Sequence, residues 1–131
     1  MFLFLRVASG LLILAVLLQA ITMGLYLSGH DSMLSLHRTG AILTAVLALL
    51  QVIAALLYFA GNRSASPILA TSVAMLVALI LQLSFGFAHN VAIHIPLGVV
   101  IFGGLARLAL LVAAEGPTKD AVAVPEEAEA A

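Results

Sequence analysis

Four long apolar stretches divide the chain, near 2–28, 34–60, 67–88 and 91–113. Each exceeds the roughly 20 residues a helix needs to cross the hydrocarbon of a bilayer. Between them lie short polar breaks: Ser28-Gly29-His30-Asp31-Ser32, then Gly61-Asn62-Arg63-Ser64-Ala65-Ser66-Pro67, then His89-Asn90. Backbone groups in a bilayer core find no water, so the stretches are predicted as helices. Links this short make consecutive helices antiparallel neighbours. The pattern predicts an all-α protein, an up-down-up-down bundle of four transmembrane helices over residues 1–113. The first stretch is far longer than the roughly 7–15 apolar residues of a cleaved signal, and is read as a helix. Asp31 and Ser32 resemble an N-cap for the second helix. At Glu115-Gly116-Pro117 the fourth helix breaks, and 114–131 reads as a solvated, disordered cytoplasmic tail.

Composition agrees with lipid as the solvent. The 131 residues are 64% hydrophobic and 8% charged, with mean hydropathy +1.26; a soluble domain carries about a quarter charged residues. A net charge of -1 gives no basic surface for nucleic acid. The absence of cysteine excludes disulfides, thiolate metal sites and cysteine catalysis. Tyr26 and Tyr58 fall near helix ends, where aromatic belts sit. Arg6, Arg63, Arg107 and Lys119 fall on one side of the predicted topology and Arg38 on the other. The positive-inside rule then places both termini in the cytoplasm of a multi-pass cell-membrane protein, with the histidine-bearing end outward.

The two halves resemble each other. The first carries Leu18-Gln19, Gly24-Leu25 and His37-Arg38-Thr39-Gly40; the second carries Leu81-Gln82, Gly86-Phe87 and His94-Ile95-Pro96-Leu97-Gly98. In both, Gln and Gly end the odd helix, and His opens the even helix with Gly about one turn later. The spacings differ, which a longer first loop would explain. Two hairpins of one topology pack around a pseudo-two-fold axis along the membrane normal, with equivalent residues facing each other at equal depth. His37 and His94 are such a pair.

A neutral imidazole in lipid brings a donor and an acceptor, and both need partners. Two imidazoles at one depth, one per half, suit the axial sites of a haem, whose iron takes nitrogens from both sides of the porphyrin. Gly40 and Gly98 would let the macrocycle approach the backbone. Arg38 suits a haem propionate or a snorkelling anchor. The competing readings of the pair are hydrogen-bonded packing and another metal. His30 and His89 read as interfacial polar residues; joined to the inner pair they would make a four-histidine copper or zinc site. Gln19 and Gln82 are expected to hydrogen-bond across the bundle, with quinone or haem contact as the alternative. Met23, Met33 and Met75 read as apolar packing.

His37-Arg38 on helix two, with Leu81-Gln82 and Gly86 ahead of His94, resembles one four-helix half of the haem A synthase family, over roughly residues 10–110. The resemblance implies a haem near the outer face with His37 and His94 as its axial ligands. The family has two such halves and a carboxylate just before its first His-Arg. Here that stretch is Met33-Leu34-Ser35-Leu36, with no acid, so the family's oxidation of haem is not implied. The chain is similar also to small four-helix bacterial membrane proteins sharing the His-Arg and His-x-x-x-Gly pattern, a likeness that implies no defined activity. The expectation is one b-type haem per chain, for electron transfer or haem holding, with no independent catalytic site. The alternative is a cofactor-free accessory subunit of a larger respiratory or membrane complex, or a homo-oligomer.

Overall fold

The computed structural model describes residues 2–115. The Gly116–Ala131 part of the expected tail, with Lys119, lies outside the described residues. Four helices follow in order: α1 Phe2–Leu27, α2 Ser32–Gly61, α3 Ser66–Phe87 and α4 Val91–Ala114, with a 3-10 turn at Arg63–Ala65 before α3. At 1.5 Å per residue they run about 33 to 45 Å, enough to cross the roughly 30 Å of hydrocarbon. All four are apolar along that length, and large side chains such as Leu14, Leu43, Val99 and Leu110 are exposed on the outside. A water-facing helix carries charge along its outer face; here the outer faces are apolar apart from the single arginines Arg6, Arg38 and Arg107, and the chain is a multi-pass membrane protein.

α1 packs on α2 and α4, and α3 packs on α4 and α2. The diagonal pairs, α1 with α3 and α2 with α4, make no backbone approach. The bundle is thus square in section, and only long side chains meet across its axis. The core between the helices is built from Leu5, Leu12, Ile68, Ile101, Leu105, Leu108 and Val112.

The internal resemblance extends into this core. An offset of 63 residues carries buried Leu5, Ala8 and Ser9 of α1 onto buried Ile68, Thr71 and Ser72 of α3. An offset of 57 carries Thr44, Ala48, Gln51 and Ala55 of α2 onto Ile101, Leu105, Leu108 and Val112 of α4. Ser9 and Ser72 even bond alike, each donating to the carbonyl four residues back, Leu5 O at 2.7 Å and Ile68 O at 2.8 Å.

The spacing difference has another origin than the expected long loop. The links Ser28–Asp31 and Ala88–Asn90 differ by a single residue. The rest lies in the helices: α1 runs further past Gln19 than α3 past Gln82, and α2 starts further ahead of His37 than α4 ahead of His94. The first hairpin stands taller at that end by less than one helical turn. Asp31 occupies the N-cap position of α2 but makes no side-chain cap bond. Asn90 does cap α4, accepting from Ile93 N–H at 3.3 Å.

The end that carries the termini is held by polar contacts. Tyr58 Oη and Asn62 Nδ2 both donate to Glu115 Oε2, at 3.1 and 3.2 Å, tying the end of α4 to the end of α2. Arg107 donates to Thr71 across α4 and α3. Arg6 and Arg63 lie over the rings of Phe2 and Phe59.

Candidate functional site

His37 and His94 meet across the α2/α4 diagonal. Their ring centres are 6.3 Å apart and their planes cross at 66°. Both rings are half-buried. The diagonal helices do not touch here, so the two imidazoles span the bundle axis themselves.

Each ring is held from its own hairpin in the same way. His37 Nδ1 lies 3.0 Å from the main-chain oxygen of Gln19, and His94 Nδ1 lies 3.0 Å from that of Gln82. A carbonyl oxygen only accepts, so Nδ1 must be the protonated nitrogen in both rings. The lone pair then resides on Nε2, the nitrogen on the other side of the ring. This is the arrangement by which proteins fix the tautomer and orientation of a metal-binding histidine. Thr22 Oγ1 stands 3.4 Å from His37 Nδ1 as well, and donates to Leu18 O and Gln19 O. His94 has no such neighbour; its ring edge lies against Gly86 instead.

The glutamines serve differently from the expectation. They do not bond to each other across the bundle. Their main chains hold the histidines, and their side-chain amides lie against the glycines of the facing helix. A Cβ at Gly40 would strike Gln19 Nε2, and a Cβ at Gly98 would lie 3.1 Å from Gln82 Nε2. The space these glycines leave is filled by glutamine. Gly98 lines the central cavity described next, while Gly40 lines a separate groove between α1 and α2. Oε1 of both glutamines is buried without a hydrogen-bond partner.

Around the rings lies a cavity of about 260 Å³. Its floor is Val16, Thr44, Leu79 and Ile101; its walls carry Gln19, Met23, His37, Gln82, Leu83 and His94; its mouth is formed by Tyr26, Leu27, Leu34, Arg38, Phe87, His89 and Val91. Arg38 is exposed at this mouth. Met75 fits against Gly104, the packing role expected of it.

The remaining histidines do not join the pair. Among the described residues no group of three or more His, Cys, Asp or Glu side chains could hold a metal ion. The four-histidine copper or zinc site is therefore not formed. His30 is exposed and away from the cavity, whereas His89 reaches its mouth. What the site offers is two imidazoles oriented by main-chain carbonyls in an apolar chamber, with one guanidinium at the opening.

No family model, curated protein or solved structure matches the chain. The reading of the site rests on its geometry.

Proposed function

We propose that this membrane protein binds one b-type haem between His37 and His94, as an electron-transfer or haem-holding protein. The pair itself carries the reading. A nitrogen binds a first-row metal at about 2 Å and lies about 1.2 Å from its ring centre, so trans imidazoles on one metal put ring centres about 6.4 Å apart. The observed separation is 6.3 Å, with both Nδ1 atoms already engaged by carbonyls. The apolar chamber and the exposed Arg38 suit a flat apolar ligand with an acidic edge. Gly40 and Gly98 act here by seating Gln19 and Gln82, whose carbonyls orient the rings.

His37 and His94 would hold the haem, which when bound would supply one-electron redox chemistry. The chain's contribution is to aim two Nε2 lone pairs, to exclude water with Leu79, Leu83 and Ile101, and to hold the ligand's edge at the mouth. One site near one end cannot pass electrons through the whole bilayer. A partner follows from that: a larger membrane complex, a quinone or a second copy. Arg6, Arg63 and Arg107 at the other end support cytoplasmic termini and an outward-facing site.

A cofactor-free accessory subunit is the competing reading, favoured by one observation: the two rings also make an edge-to-face contact of the kind that packs bundles. A visible spectrum of protein purified from haem-replete cells decides. We expect a Soret band, with resolved α and β bands on reduction, and their loss in the His37→Ala, His94→Ala double variant. A colourless wild-type protein, or full haem occupancy in the double variant, overturns the proposal.

A further inference from the structure

The two hairpin turns at the histidine end close alike. After α1, His30 N–H donates to Leu25 O at 3.1 Å, with Gly29 at φ 96°. After α3, Asn90 N–H donates to Phe85 O at 2.9 Å, with His89 at φ 57°. The residue closing such a turn sits in the left-handed region, which glycine enters freely and other residues at a cost. The first hairpin uses glycine. The second keeps a histidine, the one non-glycine residue among those described with positive φ.

That histidine lines the mouth of the cavity, and so does Arg38. Both depart from the repeat: the counterpart of His89 is Gly29, and the counterpart of Arg38 is Ile95. The histidine pair inside is common to both halves, but these two polar residues at the mouth stand where the halves differ. A ligand with a symmetric metal centre and a single acidic edge needs such an arrangement.

Building on the haem reading above, we propose that His89 completes a carboxylate-binding rim with Arg38, so that the two hold the propionates of the haem. The guanidinium fork matches one carboxylate, and an imidazole N–H donates a charge-assisted hydrogen bond to the other. The left-handed backbone at His89 is the cost of placing that ring at the opening.

The test measures transfer of haem from the full-length protein to an excess of apo-globin. Wild type is compared with His89→Gly and His89→Asn, each loaded with haem or with its dimethyl ester. We expect His89→Gly to release haem about tenfold faster, the effect of one hydrogen bond to a charged group. Its unloaded form should melt no lower than wild type, since glycine relieves the left-handed residue. Asparagine tolerates that backbone and can donate, so His89→Asn should stay within about threefold of wild type. With the ester the difference between wild type and His89→Gly should vanish. Equal release from wild type and His89→Gly, or a difference that persists with the ester, overturns the rim alone. A wild type that takes up no haem overturns the haem reading and the rim together.

Discussion

Gly24 and Gly86 both lie near the histidine-side end of an odd-numbered helix, yet the structure makes them respond in opposite ways to a single methyl group. A Cβ at Gly24 meets nothing within 4 Å, whereas a Cβ at Gly86 would lie 3.0 Å from Cε1 and 3.1 Å from Nδ1 of His94. The ring must give by a few tenths of an ångström. It cannot move along its hydrogen bond to Gln82 O, already 3.0 Å, and moving off stretches that bond. Losing the bond costs about 1 kcal/mol, and the helix preference of alanine over glycine returns up to about 1 kcal/mol. Global stability of Gly86→Ala should therefore change little. The site should suffer, because His94 loses the contact that fixes its tautomer and direction. About 1.4 kcal/mol of lost orientation corresponds to tenfold weaker haem binding. Gly24→Ala should keep wild-type affinity and gain slightly in stability. Titration followed at the Soret band, with melting of the unloaded proteins, gives both quantities. Equal affinities for the two variants, or a weaker one for Gly24→Ala, would refute the reasoning.

Two further outcomes follow from the termini end of the bundle. Gln51 is 1% exposed, its Oε1 lacks a partner and its Nε2 donates to Ser9 Oγ at 3.1 Å. The repeat puts Leu108 in its place in the second half, so Gln51→Leu should stabilise the bundle by about 1 kcal/mol by removing the orphaned acceptor. Denaturation in detergent measures this, and a loss of that size would contradict it. Glu115→Ala removes the acceptor shared by Tyr58 and Asn62 and should cost about 1 kcal/mol. Haem affinity should not change, and Glu115→Gln should recover most of the stability in the same melting assay.

Much of this architecture is legible in the sequence. The four apolar stretches were expected to start and stop within two residues of the observed helices, because the breaks contain the residues that lipid excludes: Asn62, Arg63, His89, Asn90. The meeting of His37 and His94 follows from the repeat, since a two-fold axis brings equivalent positions to one depth. The holding of the rings is not legible, because main-chain oxygens of Gln19 and Gln82 do it, and every residue type carries that oxygen. Gln19 and Gln82 draw attention for their side chains, while their contribution comes from the backbone. Gly40 and Gly98 are misleading for a related reason: a missing side chain shows where space was left, not which neighbour fills it. A signal for the full extent of the repeat was present in the offsets, 63 between the glutamines and 57 between the histidines, which also superpose the buried positions of each helix pair.

The square section gives that repeat its chemical consequence. In such a bundle a residue repeated in the second and fourth helices has its two occurrences on diagonal helices, opposite each other across the axis. Most such pairs yield only packing, as with Ala48 and Leu105, whose backbones stay apart. The histidines yield something more: two imidazoles 6.3 Å apart, each with a main-chain carbonyl behind its Nδ1. Any ion or cofactor with trans coordination is matched by that geometry, and a tetrahedral ion, which needs four ligands around one centre, is not. On the proposed haem reading, the repeat supplies the symmetric part of the site. Specificity has to come from positions where the copies have diverged. Thr22 against Phe85, Arg38 against Ile95, and Gly29 against His89 all lie at or above the histidines, and Gln51 against Leu108 lies below them. Divergence at the mouth distinguishes one edge of a bound ligand from the other; divergence in the core, far from the rings, tunes only stability. The variants at Gly86 and Gln51 probe these two kinds of asymmetry separately, and the geometry requires that the first alter binding with little change in melting, and the second the reverse.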